Sequence, residues 1–203
     1  STLAAVVEGL GMTLPGAAAA PAVDSRRYQV AGEVGRRAVG IAEEVLRPSR
    51  ILTREAFDNA IAVLLAVGGS TNAVIHLLAL AGRCGVELEL ERFDELSRKV
   101  PLLADVRPSG EHLVEQLRRR GGVPALMKEL EPLLARDEPT ITGRSVGENL
   151  ATVRPSADRS VIATLAEPVK PAEGMVVVRG SLAPGGAVIK ASAADPGLLT
   201  HRG

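Results

Sequence analysis

Two apolar runs meet at Gly68-Gly69-Ser70-Thr71-Asn72, and this junction constrains the fold more than any other stretch. Residues 60–67 on one side and 73–81 on the other are too long, and too rich in Ala and Leu, for ordinary strands, so the pattern predicts two helices. Gly68 and Gly69 end the first helix, where a left-handed residue is wanted. Ser70 or Thr71 caps the second. Both runs are apolar almost all round, which predicts that both helices are buried inside something larger. The start of the second helix would then carry free backbone N–H groups, two hydroxyls and the Asn72 amide into that interior, a setting suited to a carboxylate or phosphate. A capped helical hairpin without a ligand uses the same residues, so both readings stand at this point.

Composition narrows the function classes. The aromatic residues are Tyr28, Phe57 and Phe93, only 1% of the chain, which argues against base stacking and single-stranded nucleic acid. Acidic and basic residues balance at 24 each with no basic tail, so no nucleic-acid partner is expected. Cys84 is the sole cysteine, so it makes no disulfide within the chain and cannot by itself hold an iron–sulfur cluster or a structural zinc. A reducing compartment, and so the cytoplasm, is the expectation. The Gly-Gly-Ser-Thr-Asn break leaves each apolar half too short to span a bilayer, so no membrane partner is expected.

Taken in order, residues 1–11 predict a helix with Leu3, Val6, Val7 and Leu10 on one face and Gly11 as its stop. Residues 12–22 form an apolar loop that should be buried. Asp24 or Ser25 caps a helix reaching about Arg47, with Val30, Val34, Ala38, Ile41 and Val45 as its stripe and Pro48 as its end. Thr53 caps the helix that leads into the central hairpin. Residues 86–90 suit a short strand or an extended connection, and 92–99 a short surface helix. Residues 100–106 read as a buried strand, Arg107-Pro-Ser-Gly110 as a turn and 111–120 as a helix. Strand, turn, helix is the α/β unit, and ligands collect at that end of the strand. Arg107, Ser109 and the helix start could meet an anion there, or form a plain βα turn. Helices follow at 123–135 and 145–150, a short strand and turn at 140–143, and a linker at 154–160. Beyond it, strand-like pieces at 161–165, 175–179 and 187–190 alternate with Pro and Gly, marking a β-rich second unit.

The titratable candidates are few. His76 sits in an apolar helical run and is expected to be a buried structural histidine. No pair of histidines has ligand spacing. Cys84 lies near a helix C-terminus, where thiolate is disfavoured, and is expected to be inert. Asp24 and Asp105 are expected to be partly buried, Asp105 as a cap or turn residue or else as a ligand or base. The chain opens inside a helical pattern and stops at Gly203 with no obvious final element, so both ends are expected to be cut.

Seven stretches, taken together, resemble the dihydroxy-acid and sugar-acid dehydratases, a family that includes the phosphogluconate dehydratases. They are STLAAVVEGLGMTLPG (1–16), ILTREAFDNA (51–60), VGGSTNAVIHLLA (67–79), RPSG (107–110), GGVPA (121–125), TGRSVGEN (142–149) and RGSLAPGGAVIK (179–190). The resemblance implies an α/β domain, here residues 1–160, followed by the start of a β-barrel domain, residues 161–203. It implies a [2Fe–2S] cluster and Mg²⁺, loss of the C2 proton to a serine base, departure of the C3 hydroxyl as water, and tautomerisation to a 2-oxo acid. It also implies that the cluster cysteines and the Mg²⁺ ligands lie outside residues 1–203, and that the serine base lies beyond Gly203. No catalytic or metal-binding residue is therefore expected here, and the chain alone should be inactive. Ser70, Thr71, Asn72 and Ser109 are the candidates to bind substrate or line the cavity. The expected partner is a small hydroxy acid, and the full-length protein is expected to be a homo-oligomer, a dimer or tetramer. Residues 81–83, 190–194 and 198–203 resemble the sugar-acid branch, while residues 51–79 fit both branches. Two other readings stand beside the enzyme: an inactive fragment or paralogue acting as a subunit or interaction module, and a stand-alone anion-binding domain.

Overall fold

Helix α4 (Arg54–Ala66) forms the axis of the molecule in a computed structural model that describes residues 2–21, 23–195 and 197. Thr53 is extended, and its hydroxyl accepts from Ala56 N at 3.1 Å, so the expected cap is made. Ten of the thirteen residues are buried, among them Phe57, Ile61 and Leu64. Asn59 is the buried polar exception, and its amide exchanges hydrogen bonds with the Ala135 backbone at 2.9 and 2.8 Å, leaving no orphaned group. At the far end Gly68 takes the left-handed conformation (φ 58), with Gly68 N donating to Leu65 O and Gly69 N to Leu64 O. This is the double bond of a Schellman cap, as the Gly-Gly pair predicted.

Helix α1 (Thr2–Gly9) packs on α4 through Gly9, where a Cβ would come within 2.8 Å of Val63 Cγ2. The contact decides which face is buried. Val6 and Leu10 go inward as expected, but Leu3 and Val7 face out, and Ala5, Glu8 and Gly9 take their place. The loop after α1 buries Ala17, Ala18, Ala19 and Ala20, as its apolar character required.

Helix α2 (Arg26–Glu43) departs furthest from expectation. It stops at Glu43 because Val45 turns left-handed (φ 53), ahead of Pro48. Of the expected stripe only Val30 is buried; Val34 and Val45 are exposed. Asp24, not Ser25, caps it, accepting from Arg26 N at 2.8 Å. A single turn, α3 (Pro48–Ile51), links it to α4.

Helix α5 (Asn72–Cys84) corrects the burial expected of the hairpin's second half. Ala73, Val74, Leu77 and Ala81 form one buried stripe, while Ile75 is 67% exposed and His76 lies on the outer face, so the expectation of a buried His76 fails. Only one side of α5 meets other helices, so an all-round apolar sequence is not matched by all-round cover. Gly85 closes it in the left-handed region. Residues 86–89 are the extended connection and not a strand, and α6 (Leu90–Ser97) buries Phe93 and Leu96.

Residues 100–106 are extended and almost wholly buried but form no continuous strand. Leu103 N and Ala104 N both donate to Ala66 O at 2.9 Å, so the C-terminus of α4 takes amides that a ladder would have used. What pairing remains comes from isolated bridges, antiparallel for Leu102 with Lys170 and Ala104 with Ile162 and parallel for Val106 with His112. The 107–110 turn forms with a cis Arg107–Pro108 bond. His112 N returns to Asp105 O and Arg107 N to His112 O, which delays α7 (Val114–Arg119) by three residues relative to the predicted start at Glu111. α8 (Gly122–Leu130) follows, and α9 (Val146–Ala151) opens on a Ser145/Glu148 capping box. The last part is a hairpin of β1 (Val176–Gly180) and β2 (Ala183–Ile189), registered Val176 to Ile189 and Gly180 to Ala183. The chain is α/β, and among the described residues its one sheet has two strands. Of the three strand-like pieces predicted there, residues 161–165 contribute only the Ile162 bridge. The expected end of the chain at Gly203, with no final element before it, falls outside the described residues.

Candidate functional site

The junction between α4 and α5 is held by residues from four parts of the chain. The Gly68 carbonyl accepts from Lys190 Nζ at 2.6 Å and from Ser109 Oγ at 3.3 Å. Ser109, 5% exposed, also meets Ser192 Oγ at 3.4 Å. A Cβ on Gly68 would lie 2.7 Å from both Ser109 Oγ and Leu102 Cδ1, and one on Gly69 would lie 2.5 Å from Thr2 Cγ2 and Leu64 Cδ1. Two glycines are therefore required by close approach as well as by the turn.

Beside this junction opens a cleft of about 160 Å³. Thr2 of α1, Ala18 and Ala19 of the following loop, Gly68 and Gly69, and the Arg107-Pro108 turn border it. Among the described residues that line it, Arg107 is the sole charged one. Its Nε donates to Glu111 O at 3.1 Å, and the residue is exposed.

The predicted residues divide around this cleft. Ser70, Thr71 and Asn72 follow directly on its Gly68-Gly69 wall, with Ser70 and Asn72 exposed. Ser70 N donates to Thr2 Oγ1 at 3.1 Å, and Ser70 Oγ accepts from Asn72 N at 3.3 Å. Thr71 is already helical and makes no side-chain cap. The amides of Ala73 and Val74 go to Ser70 O and Thr71 O, so most donors expected to be free at this helix start are consumed by the turn itself. Ser109 is buried against Gly68 rather than facing the cleft.

Elsewhere the candidates take structural roles. Asp105 is a turn residue: Oδ1 accepts from Glu111 N at 3.1 Å, and Oδ2 lies 3.5 Å from His112 Nε2. Asp24 caps α2 and pairs with Arg118 at 2.9 Å. Cys84 is exposed at the end of α5. His201, Gly203 and the rest of residues 198–203 lie outside the described residues. Among those described, no group of three or more His, Cys, Asp or Glu side chains is placed to hold a metal ion. The described residues therefore offer no ligand set for a [2Fe–2S] cluster or a protein-bound Mg²⁺, and no chemistry of this chain is routed through either.

Two functional groups escaped the sequence reading. Glu8, 6% exposed, accepts from Gly16 N at 2.6 Å and Ala18 N at 3.0 Å. Burial pushes its carboxyl up to about 7, against the pull of those two amides. Lys190 is held below the usual lysine range by burial, with nearby Lys170 adding to the effect. Each follows apolar neighbours in sequence, Val6-Val7 and Val188-Ile189, and each takes a place in a run that otherwise reads as core or strand.

Residues 1–149 match the family model described as dihydroxy-acid/6-phosphogluconate dehydratase N-terminal, and residues 160–203 match its C-terminal counterpart. The chain belongs to this family. A dihydroxy-acid dehydratase of Ignicoccus hospitalis is 49% identical over 205 residues, covering all of this chain and 37% of that protein. Those of Nocardia farcinica and Methanosarcina barkeri are 48% and 44% identical, covering 98% and 100% of this chain and 36% and 37% of theirs. The chain thus spans just over a third of the length of these relatives. Two of its family-like stretches, 67–79 and 107–110, are the ones that meet through Gly68 and Ser109 beside the cleft.

Proposed function

We propose that the intact protein is a hydro-lyase that converts a 2,3-dihydroxy carboxylic acid to a 2-oxo acid, and that this chain contributes a wall of its substrate cleft. The observation that carries the reading is Arg107: it is the charged side chain on a cleft otherwise built from glycine, alanine, proline, threonine and valine-leucine surface. A guanidinium in that setting suits a substrate carboxylate, which it can hold by paired, charge-assisted hydrogen bonds. Gly68 and Gly69 let the backbone come close without side chains, and Thr2 offers a hydroxyl at the same edge. The chain's own part is to bind and orient the acid and to keep water out. The [2Fe–2S] cluster, Mg²⁺ and serine base of the family resemblance belong, in this reading, to residues outside this chain, as does completion of the barrel whose domain would begin near residue 160.

A dihydroxy acid with a four-carbon backbone branched at C3, which keeps its C2 proton, is the favoured substrate, and relatives at 44–49% identity are named dihydroxy-acid dehydratases. Five- and six-carbon aldonates are the second reading, carried by residues 81–83 and 190–194. A cytoplasmic homo-oligomer without nucleic-acid or membrane partners completes the proposal; no helix among the described residues is long and apolar enough to cross a membrane. The test is 2-oxo acid formation by the intact protein from each acid. Arg107→Ala should raise KM about tenfold or more, the loss of about 1.4 kcal/mol or more of binding, with a smaller change in kcat. An unchanged KM would remove Arg107 from the carboxylate site.

A further inference from the structure

Glu8 is a buried carboxylate that the proposed binding role does not use. It lies on the α1 face that packs inward, and it borders a small apolar cavity of about 30 Å³ with Thr13, Thr140 and Asn149 as the polar neighbours. That volume holds about one water. No other lining residue titrates: the remainder are glycine, proline, methionine, valine and leucine. The charged groups of the packed elements are engaged elsewhere. On α4, Asp58 is held by Arg92 and Arg54, and Glu55 is exposed; on α8, Lys128 pairs with Glu131 and Glu129 with Arg159. On α9, Glu148 caps its own helix start, and α5 turns His76 and Arg83 outward. What Glu8 does hold is the loop behind α1, gripping Gly16 N with one oxygen and Ala18 N with the other. Ala18 and its neighbour Ala19 are the loop's contribution to the cleft, where Thr2 and Ala5 of the same helix α1 stand beside them.

We propose that Glu8 is a positioning residue, tying the 16–20 loop to α1 and so fixing the Ala18-Ala19 wall of the substrate cleft. The carboxylate is suited to this task because a single group spans two amides on a loop that has little side-chain bulk of its own to lock it. A glutamine keeps the shape but can offer only one good acceptor, and it turns an NH₂ toward the other N–H. The link between loop and substrate rests on reading the cleft as the acid-binding site; the anchor itself does not.

Two measurements keep those parts separate. In this chain, the amide resonances of Gly16 and Ala18 are followed from about pH 4 to about pH 9, with hydrogen exchange of residues 17–20. The expected result is one shared midpoint well above the ordinary glutamate range, and exchange that speeds up when Glu8 takes its proton. In Glu8→Gln the titration should vanish and exchange should be fast at every pH. Gly16 and Ala18 amides that do not respond to Glu8 ionisation, or a titration that survives in Glu8→Gln, overturn the anchor, and the wild-type titration decides this even if the variant does not fold. In the intact protein, Glu8→Gln should raise KM for the dihydroxy acid several-fold while kcat stays close to wild type, and the wild-type KM should follow the loop's midpoint with pH. A KM unmoved by variant and pH overturns the link to the cleft. No turnover of any dihydroxy acid by the intact wild-type protein strikes the functional reading alone and leaves the loop titration standing.

Discussion

Helices α4 and α5 are the same length, carry similar apolar sequences and are joined by one Gly-Gly turn, yet ten residues of α4 are buried and four of α5. The difference comes from their neighbours. α4 is met by α1, α6 and α8 and by the extended 100–106 segment that docks on its C-terminus. α5 is covered along one stripe. Run length and Ala and Leu content therefore specified that each would be a helix, while the number of surrounding elements settled how much of it is core. The same lesson applies more strongly to α2, whose apolar stripe is largely in solvent.

Truncating matched side chains on the two helices puts this contrast at risk. Phe57→Ala, at a fully buried site in α4, should cost about 3–5 kcal/mol in chemical denaturation. Ile75→Ala on the exposed face of α5 should cost less than about 0.5 kcal/mol. Equal losses would mean that α5 is covered in solution.

The next effect is nearly as large and depends on pH. Glu8 is raised from 4.5 to about 7 on folding, so the folded state binds its proton more tightly than the unfolded chain. The stabilisation is complete below the unfolded value and is lost as pH rises through about 7, a change of about 3 kcal/mol across that window. Melting temperature should fall over this range in wild type and lose that component in Glu8→Gln.

Glycines give a smaller contrast. Gly68→Ala forces a Cβ against Ser109 and Leu102 at a positive φ, and should cost about 1–3 kcal/mol. Gly82→Ala, in α5 with open space around it, should instead stabilise by about 0.5–1 kcal/mol. A Gly68→Ala variant as stable as wild type would show that the crowding at Gly68 is absent in solution. At the low end, Thr53→Ala should cost about 1 kcal/mol, the worth of an ordinary N-cap.

Much of the local structure was legible in the residues. Gly68 and Thr53 cap the helices they were expected to cap because the reasons are local: positive φ, or a hydroxyl one turn from an orphaned amide. The 107–110 turn was legible for the same reason. What escaped depends on partners distant in sequence. Residues 100–106 have a strand's sequence, but Ala66 O takes two of their amides. Leu3 and Val7 lose the inner face of α1 to Glu8 and Gly9, because Gly9 lets α4 come close on that side. The candidate site was half legible. Ser109 was singled out as a possible contact and is a strut for Gly68; Arg107, placed at the strand end by the βα pattern, is the residue that borders the cleft. Glu8 and Lys190 act across folds of the chain that no periodicity reports.

The proposed function turns on whether the cleft between the 67–72 and 107–110 turns receives a dihydroxy acid. The decisive experiment is 2-oxo acid formation by the intact protein from a 2,3-dihydroxy acid with a four-carbon backbone branched at C3, comparing wild type, Arg107→Ala and Ile75→Ala. The expected result is turnover in the wild type, a KM raised about tenfold or more in Arg107→Ala, and an unchanged KM in Ile75→Ala. Turnover with the same KM in all three proteins, or none in the wild type for any dihydroxy acid or aldonate, would contradict it.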